Sequence, residues 1–148
     1  MTQTEDINNQ PDNKRALVYL RVARVSEQDD GQFDMQRQRC EEMAKQYELT
    51  IIKEYREVGS GLTAAEDRPG LGRLLEELPI IKPRYLLVSD LARISRQVRE
   101  VVAVDEYLMC VGAELLVYGE GPEQEGVRRR IAAVLADFDP KEERRHAR

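Results

Sequence analysis

The chain has 148 residues, 41% of them hydrophobic and 34% charged, with a net charge of −5, which suits one domain with an aliphatic core. No run of eighteen apolar residues occurs and the first fourteen residues are polar, so we expect a cytoplasmic protein with neither a membrane span nor a secretory signal. Cys40 and Cys110 are isolated and His146 is the only histidine, which argues against a disulfide, a metal site and a histidine-based catalytic centre.

The first third of the chain alternates between strand and helix patterns. Residues 15–22, RALVYLRV, are short, apolar and β-branched, which predicts a strand. Apolar residues then recur at helical spacing from Phe33 to Tyr47, which predicts a helix. Residues 49–57, LTIIKEYRE, have the composition of a second strand.

The same alternation continues to residue 138. The expected elements are, in chain order, a loop at 58–67, a helix from Asp67 with Pro69 in its first turn, a strand at 84–89, a helix at 98–111 closed by Gly112, a strand at 113–119 and a helix over 122–138. This alternation predicts an α/β fold: an open, mostly parallel sheet of about four to five strands with helices on both faces.

Arginines and hydroxyl residues cluster where the predicted strands end. In an open parallel sheet, ligands bind outside the carboxyl ends of the strands. Guanidinium groups suit phosphate because they donate two parallel hydrogen bonds and stay charged. The sequence therefore predicts a phosphodiester site. The candidates at this rim are Arg21, Arg24, Ser26, Arg56, Ser60, Ser89, Arg93, Ser95 and Arg96.

Positive charge is concentrated in two segments of this acidic chain. Residues 82–99 contain five Lys or Arg and one Asp, and residues 126–148 contain seven Lys or Arg and four Asp or Glu. Two solvated helix faces would account for the second segment well and for the first poorly. The pattern favours a local anion site on an acidic body, with a large DNA footprint left to a further domain.

Other phosphate chemistries leave signatures that this sequence does not contain. It has no GxxxxGK[ST] and no GxGxxG, which argues against a P-loop hydrolase and a dinucleotide fold. Only Glu57 and Asp90 offer carboxylates at the rim, which weakens a two-metal nuclease. A receiver-like module needs acidic residues at the end of its first strand, where this chain has Arg21. Phosphoryl transfer by arginines and a hydroxyl, without a metal or other cofactor, remains.

Four segments in order carry a family resemblance: ALVYLRVA, FDMQRQRCEEMA, SGLTAAEDRPGLGRLL and DLARISR. From Ala16 to Gly119 the chain resembles the catalytic domain of the serine site-specific recombinases, which include resolvases, invertases and, most similar here, the large phage integrases. The resemblance implies a resolvase-like fold, double-stranded DNA at attachment or recombination sites as substrate, and self-association to a dimer and a tetramer. It also implies a bacterial cytosol or nucleoid, a phage or mobile element as source, and a directionality factor as a candidate partner.

The resemblance further implies the reaction. A serine oxygen attacks a DNA phosphodiester, which leaves a 5′-phosphoserine and a free 3′-hydroxyl, and the strands rejoin after subunits of a tetramer rotate. The bond energy is kept in the covalent intermediate, so neither ATP nor a metal is needed. The protein must supply a nucleophile, neutralise the phosphorane oxygens and transfer a proton to the leaving oxygen.

Site residues follow from the resemblance position by position. Those that would grip the scissile phosphate are Arg21, Arg68, Arg93 and Arg96, with Gln36 supporting them and Ser60 matching the serine of the active-site loop. Glu57 falls where an aspartate is usual, Asp90 lies two residues before the usual acidic position at Ala92, and Tyr19 shares the face of Arg21. Tyr19 and Gln36 could equally be packing and helix-surface residues, and Arg68 could cap a helix or pair with Glu66.

Position 23 departs from the family. Aligning ALVYLRVA with the first strand of the family puts Ala23 at the nucleophile, and alanine cannot attack phosphate. Ser26 lies three residues further on, which places it on the opposite face of an extended strand, up to roughly 10 Å away. We therefore interpret Ser26 as a loop hydroxyl and hypothesise that this chain is cleavage-deficient.

The termini complete the predicted organisation. We expect a disordered tail at 1–14, the catalytic domain at 15–138 and the start of the family's linking helix at 139–148, without the DNA-binding domain that follows in relatives. Pro140 would interrupt a continuous helix, so we expect a break between Phe138 and Asp139. Two alternatives stay open: a catalytically dead module that assembles on active recombinase subunits or binds DNA as a regulator, and an unrelated α/β phosphate-binding domain.

Overall fold

The computed structural model of the chain describes residues 12–23, 29–60 and 67–119. Two short 3-10 turns, at Asp12–Lys14 and Leu91–Arg93, flank regular elements that alternate as predicted. These elements are β1 (Arg15–Val22), α1 (Asp29–Gln46), β2 (Thr50–Val58), α2 (Pro69–Ile81), β3 (Tyr85–Val88), α3 (Val98–Cys110) and β4 (Glu114–Val117). Helix α1 begins at Asp29, four residues before Phe33, where the apolar pattern starts. The pattern misses this first turn because its residues are polar.

The four strands form one parallel sheet in the order β2-β1-β3-β4, which confirms the predicted open α/β architecture. Strand β1 pairs with β2 along its whole length, from Arg15 opposite Thr50 to Val22 opposite Val58. Its pairing with β3 stops at Val18 opposite Leu87. The chain leaves β1 to one side and returns to the other, so the carboxyl ends of β1 and β3 flank the switch point at which such sheets bind ligands.

Helices cover both faces of the sheet, as the alternation predicts. Alternate side chains of a strand point to opposite faces, so β1 contributes to two cores. Ala16, Val18, Leu20 and Val22 pack with Phe33, Cys40, Met43 and Ala44 of α1. Leu17 and Tyr19 pack on the other face with Leu71, Leu74 and Leu78 of α2 and Val101, Val104 and Leu108 of α3. The central strand is therefore buried along both sides.

On the face of the sheet that α2 and α3 cover, one hydrogen bond joins the two helices and a glycine ends α3. Pro79 lies inside α2 and has no N–H to donate to the carbonyl of Leu75, four residues earlier. The hydroxyl of Tyr107 in α3 donates to that carbonyl at 3.2 Å. Helix α3 ends at Cys110 and is followed by Gly112 with φ +81°, which confirms the predicted glycine at its end.

Both cysteines are free; Cys40 is buried and Cys110 exposed. Burial raises the pKa of Cys40 to about 12. Within residues 12–23, 29–60 and 67–119, no helix is long and apolar enough to cross a membrane. Of the predicted tail at 1–14, residues 1–11 lie outside the described residues, and Asp12–Lys14 form a 3-10 turn. The helix at 122–138, the break at Pro140 and His146 also lie outside the described residues.

Candidate functional site

Arg21 lies at the carboxyl end of β1 and is 3% exposed. A guanidinium has five N–H donors, and three of those on Arg21 are directed at main-chain carbonyls. Nε donates to Arg93 at 3.0 Å, Nη1 to Gly59 at 2.7 Å and Nη2 to Ala92 at 2.7 Å. Arg21 therefore joins the segment after β2 to the segment after β3. One N–H on each of Nη1 and Nη2 has no acceptor among the described residues.

The main chain of Arg21 is held from the opposite face by Gln36 of α1. The Gln36 side-chain oxygen accepts the Arg21 N–H at 3.1 Å, and its amide nitrogen donates to the Arg21 carbonyl at 2.9 Å. The pairing of β1 with β3 has already ended at Val18, so the amide satisfies main-chain groups that no longer have a strand partner. Gln36 is 3% exposed and is thus neither a helix-surface residue nor plain packing.

Arg93 completes this arrangement from the turn after β3. Its Nη1 donates to the Arg21 carbonyl at 2.8 Å, and its Nε lies 3.3 Å from a carboxylate oxygen of Asp90. Asp90 in turn accepts the Ser89 hydroxyl at 3.1 Å. The carboxylate at position 90 thus orients Arg93 although Ala92 occupies the usual acidic position. Nη2 of Arg93 has no acceptor among the described residues and remains available for a ligand.

Arg68 lies just before α2 and is 1% exposed. Its Nη2 donates to the carbonyl of Ile94 and lies 3.6 Å from Oε2 of Glu100 in α3. Among the described residues, its buried Nε and Nη1 have no hydrogen-bond partner, and neither does Oε2 of Glu100. Buried charged donors are normally satisfied, so Arg68 keeps unmet capacity to bind an acceptor. Its side chain makes no helix-cap hydrogen bond; Glu66, the other partner considered, lies outside the described residues.

Glu57 and Tyr19 lie beside these arginines. The Tyr19 hydroxyl donates to Oε1 of Glu57 at 3.3 Å. Burial raises the pKa of Tyr19 well above its ordinary value; the charge and hydrogen bond of Glu57 act in the same direction, and Arg68 and Arg21 oppose them. Burial lowers the pKa of Arg21, and the charges of Arg93, Arg68 and Arg96 lower it further. This mutual repulsion is what an anion would relieve.

The remaining candidates divide into two groups. Arg96 and Ser60 are exposed. Arg96 is close enough to affect the pKa of Arg21, and Ser60 follows Gly59, whose carbonyl accepts a hydrogen bond from Arg21. Arg56 is instead turned toward α1, because it pairs with Glu54 at 2.8 Å and lies over the ring of Phe33. The Ser95 hydroxyl accepts the Gln97 N–H at 2.9 Å.

Ala23 is exposed and lies one residue beyond the end of β1. Tyr19 and Arg21 lie within β1 and share one face of it, as predicted. Position 23 lies beyond the last pair of residues between β1 and β2, so strand pairing does not fix the direction of its side chain. Arg24 and Ser26 lie outside the described residues. Among the residues that are described, no group of three or more His, Cys, Asp or Glu side chains could hold a metal ion.

Sequence reasoning missed the acceptors that organise this site. The carbonyls of Gly59, Ala92 and Arg93 are main-chain groups, which no residue pattern identifies, and Glu100 looks like an ordinary residue in the first turn of a helix. Among the contacts that the arginines make, the sequence indicates only the ion pair between Asp90 and Arg93, because residues three apart in a helical turn lie within reach of each other.

Comparison with known proteins gives consistent matches. The profile of the family described as "Resolvase, N terminal domain" matches residues 16–148. The N-terminal catalytic domain of TP901-1 integrase is 21% identical, with a TM-score of 0.71 over 83% of this chain and 95% of that chain. A resolvase family site-specific recombinase from Streptococcus pneumoniae is 19% identical, with a TM-score of 0.71 over 90% and 92%. The C-terminal catalytic domain of IS1535 TnpA, an IS607-like serine recombinase, is 28% identical, with a TM-score of 0.56 over 69% of each chain. Curated protein sequences give no match.

Proposed function

Because this chain belongs to the resolvase N-terminal domain family and is the catalytic domain of a site-specific recombinase, we propose that its arginine cluster binds the scissile phosphodiester of double-stranded DNA. The observation that carries the proposal is the convergence of Arg21, Arg68 and Arg93 at the carboxyl ends of β1 and β3. Arg93 and Arg68 both repel the positive charge of Arg21, and two nitrogens of Arg68 have no hydrogen-bond partner among the described residues. A phosphate would supply both the negative charge and the acceptors.

Each residue has a part in the proposed strand transfer. Nη2 of Arg93, the exposed Arg96 and the unpartnered N–H groups of Arg68 would donate to the phosphate oxygens and stabilise the phosphorane. Arg21 would add its two remaining N–H groups, while Gln36 holds its main chain. A serine oxygen would bond to phosphorus as the bond to the 3′-oxygen breaks, and the proton lost by the serine would end on that 3′-oxygen.

Position 23 would carry that serine, and Ala23 would make this chain deficient in cleavage while it keeps the phosphate site. Ser26 would serve as a hydroxyl of the following loop. Support comes from the alignment of ALVYLRVA and from the exposure of Ala23 directly after the strand that carries Arg21. On this proposal the chain still binds DNA but forms no covalent intermediate.

The proposed assembly follows the family. The catalytic domain would occupy residues 15–138, with the linking region beginning at 139, and would act in the bacterial cytosol or nucleoid as a dimer that pairs into a tetramer. Its net charge of −5 gives weak intrinsic affinity for DNA, so a linked DNA-binding domain would supply most of it. A directionality factor would act on such an assembly.

A covalent trapping experiment tests the proposal. The chain is fused at its carboxyl end to a DNA-binding domain of known target, and the fusion is incubated with duplexes nicked near that target, so that a cleaved strand diffuses away. We expect a denaturation-resistant protein–DNA adduct with Ala23→Ser and none with the unaltered chain. An adduct formed by the unaltered chain and abolished by Ser26→Ala would move the nucleophile to Ser26.

Ala23 also favours a second candidate function, a catalytically inactive module that assembles on active recombinase subunits. That function predicts no adduct with Ala23→Ser, together with co-assembly of this chain with an active relative. The same fusion distinguishes the two functions, because it scores adduct formation and oligomeric state in one sample.

A further inference from the structure

Glu57 is a buried carboxylate at the end of β2 that makes no contact in the proposed strand-transfer step. It is 3% exposed. Its Oε1 accepts the Leu71 N–H at 2.8 Å and its Oε2 accepts the Gly70 N–H at 3.0 Å, in addition to the Tyr19 hydroxyl. Two of its three donors are therefore main-chain groups of a different element, helix α2.

These two N–H groups belong to the first turn of α2. The first N–H groups of any helix lack partners inside the helix, and the residue before the helix often accepts one with a short polar side chain. Arg68 occupies that position here and makes no such bond. Glu57 supplies the missing acceptors from a neighbouring strand, and its negative charge suits the positive end of the helix dipole.

The contact requires a glycine. A Cβ atom at Gly70 would lie 2.7 Å from the main-chain oxygen of Arg56 and 3.0 Å from the carboxyl carbon of Glu57. Two residues further along α2, a Cβ atom at Gly72 would have nothing within 4 Å. At the turn that follows Arg68, α2 therefore approaches β2 so closely that a side chain does not fit.

We propose that Glu57 is a positioning residue, which fixes Arg68 at the phosphate site by capping α2 from β2. The inference rests on the proposed function, in which Arg68 binds the phosphate. The side chain of Arg68 makes few contacts that could hold it, since two of its three nitrogens have no hydrogen-bond partner in the part of the chain that the structure describes. The position of Arg68 is set by the main chain that enters α2. Glu57 holds that main chain by accepting hydrogen bonds from the N–H groups of Gly70 and Leu71.

Charge and position predict opposite results when Glu57 is changed to Gln. Removing a negative charge beside an anion site strengthens phosphate binding if Glu57 acts only through its field. The amide keeps one acceptor oxygen and presents an NH2 group in place of the other, so it can accept only one of the Gly70 and Leu71 N–H groups. If Glu57 acts by positioning, the cap is weakened, Arg68 moves and phosphate binding weakens.

The test uses the 148-residue chain and thymidylyl-thymidine, a dinucleotide with one phosphodiester, with the dissociation constant measured by NMR titration. We expect Arg68→Ala and Glu57→Gln each to raise this constant about tenfold, the loss of one hydrogen bond to a charged group. We expect the double variant to be no weaker than Arg68→Ala alone, because both changes remove the same contact. Gly70→Ala, which keeps the carboxylate, should weaken binding as well.

Two matched controls separate positioning from general destabilisation. Glu77→Gln removes a carboxylate of the same helix that accepts hydrogen bonds from Lys53 and Tyr55 of β2, and Gly72→Ala makes the same replacement as Gly70→Ala in open space. We expect both to leave the dissociation constant within about twofold, since Glu77 lies in the second half of α2 and the methyl group added at position 72 meets no other atom within 4 Å.

Tighter or unchanged binding by Glu57→Gln, where Arg68→Ala weakens binding, would overturn the inference, as would additive effects in the double variant. If the unaltered chain does not bind the dinucleotide, or Arg68→Ala has no effect, the proposed role of Arg68 fails instead. In that case, the NMR resonance of the Arg68 Nε–H group tests whether Glu57 positions Arg68. Displacement of that resonance in Glu57→Gln and Gly70→Ala, and not in Glu77→Gln, supports the inference, and an unmoved resonance refutes it.

Discussion

Arg21 and Arg68 are both almost completely buried, yet their guanidinium groups have opposite surroundings. Arg21 donates to three main-chain carbonyls, and its own main chain is held by Gln36. Arg68 donates to one carbonyl, faces a carboxylate at 3.6 Å and has two nitrogens without a partner among the described residues. The two buried charges therefore differ in their main role: Arg21 uses three of its donors to hold the surrounding segments in place, whereas Arg68 keeps most of its donors for a ligand.

The largest expected effect is on stability and follows directly from this contrast. Arg21→Met should lower the free energy of unfolding by about 3 kcal/mol, because it leaves three carbonyls without donors. Arg68→Met combined with Glu100→Gln should change it by no more than about 1 kcal/mol, since the removed pair is poorly satisfied. Urea denaturation measures both, and equal losses in the two variants would contradict the distinction.

A smaller effect is expected when only the main-chain support of Arg21 is removed. Gln36→Leu should cost about 2 kcal/mol, because the Arg21 N–H loses its acceptor in a buried position. Amide hydrogen exchange should show the Arg21 N–H losing protection, while the exposed Gln38→Leu on the same helix should change neither quantity. Retained protection in Gln36→Leu would mean that another group accepts this N–H.

The smallest effect concerns Tyr19, whose pKa reflects both arginines. Burial raises the pKa of Tyr19 above its ordinary value of 10.0, so its neutral form favours the folded state. That contribution is complete below pH 10 and is lost as the pH rises above it, at about 1.4 kcal/mol per pH unit. Between pH 10 and 11, the free energy of unfolding should therefore fall by about 1 kcal/mol less in Tyr19→Phe than in the unaltered chain. Urea denaturation at the two pH values measures this difference. Parallel losses would show that Tyr19 ionises normally. Tyr55 and Tyr118, whose pKa values are also raised, keep part of the slope in both proteins.

The sequence predicts the elements well because each has a local cause. RALVYLRV is apolar throughout residues 16–20 and becomes a central strand, and Pro69 and Gly112 mark the start of α2 and the end of α3 by their backbone constraints alone. The convergence of Arg21 and Arg93 also follows from the sequence, because parallel strands bring their carboxyl ends to one edge, whereas Arg68 is expected there only from the family resemblance.

What each arginine contacts could not be read from the sequence. The partners of Arg21 are carbonyls of residues 59, 92 and 93, and every residue has a carbonyl, so nothing in the letters marks these three. The role of Gln36 depends on the ladder between β1 and β3 ending at Val18, which is a matter of strand geometry rather than composition. The cap on α2 comes from Glu57, which precedes the helix by twelve residues, well beyond the range of local capping patterns.

The sequence by itself determined the α/β fold, the edge of the sheet that carries the arginines, and the alanine at position 23, because periodicity, backbone constraints and residue identity are local properties. Only the tertiary structure decided which buried arginine has most of its donors bound by the protein and which does not. Hydrogen bonds between segments far apart in sequence depend on where the strands end and how closely α2 approaches β2, and those distances are set only when both faces of the sheet are packed.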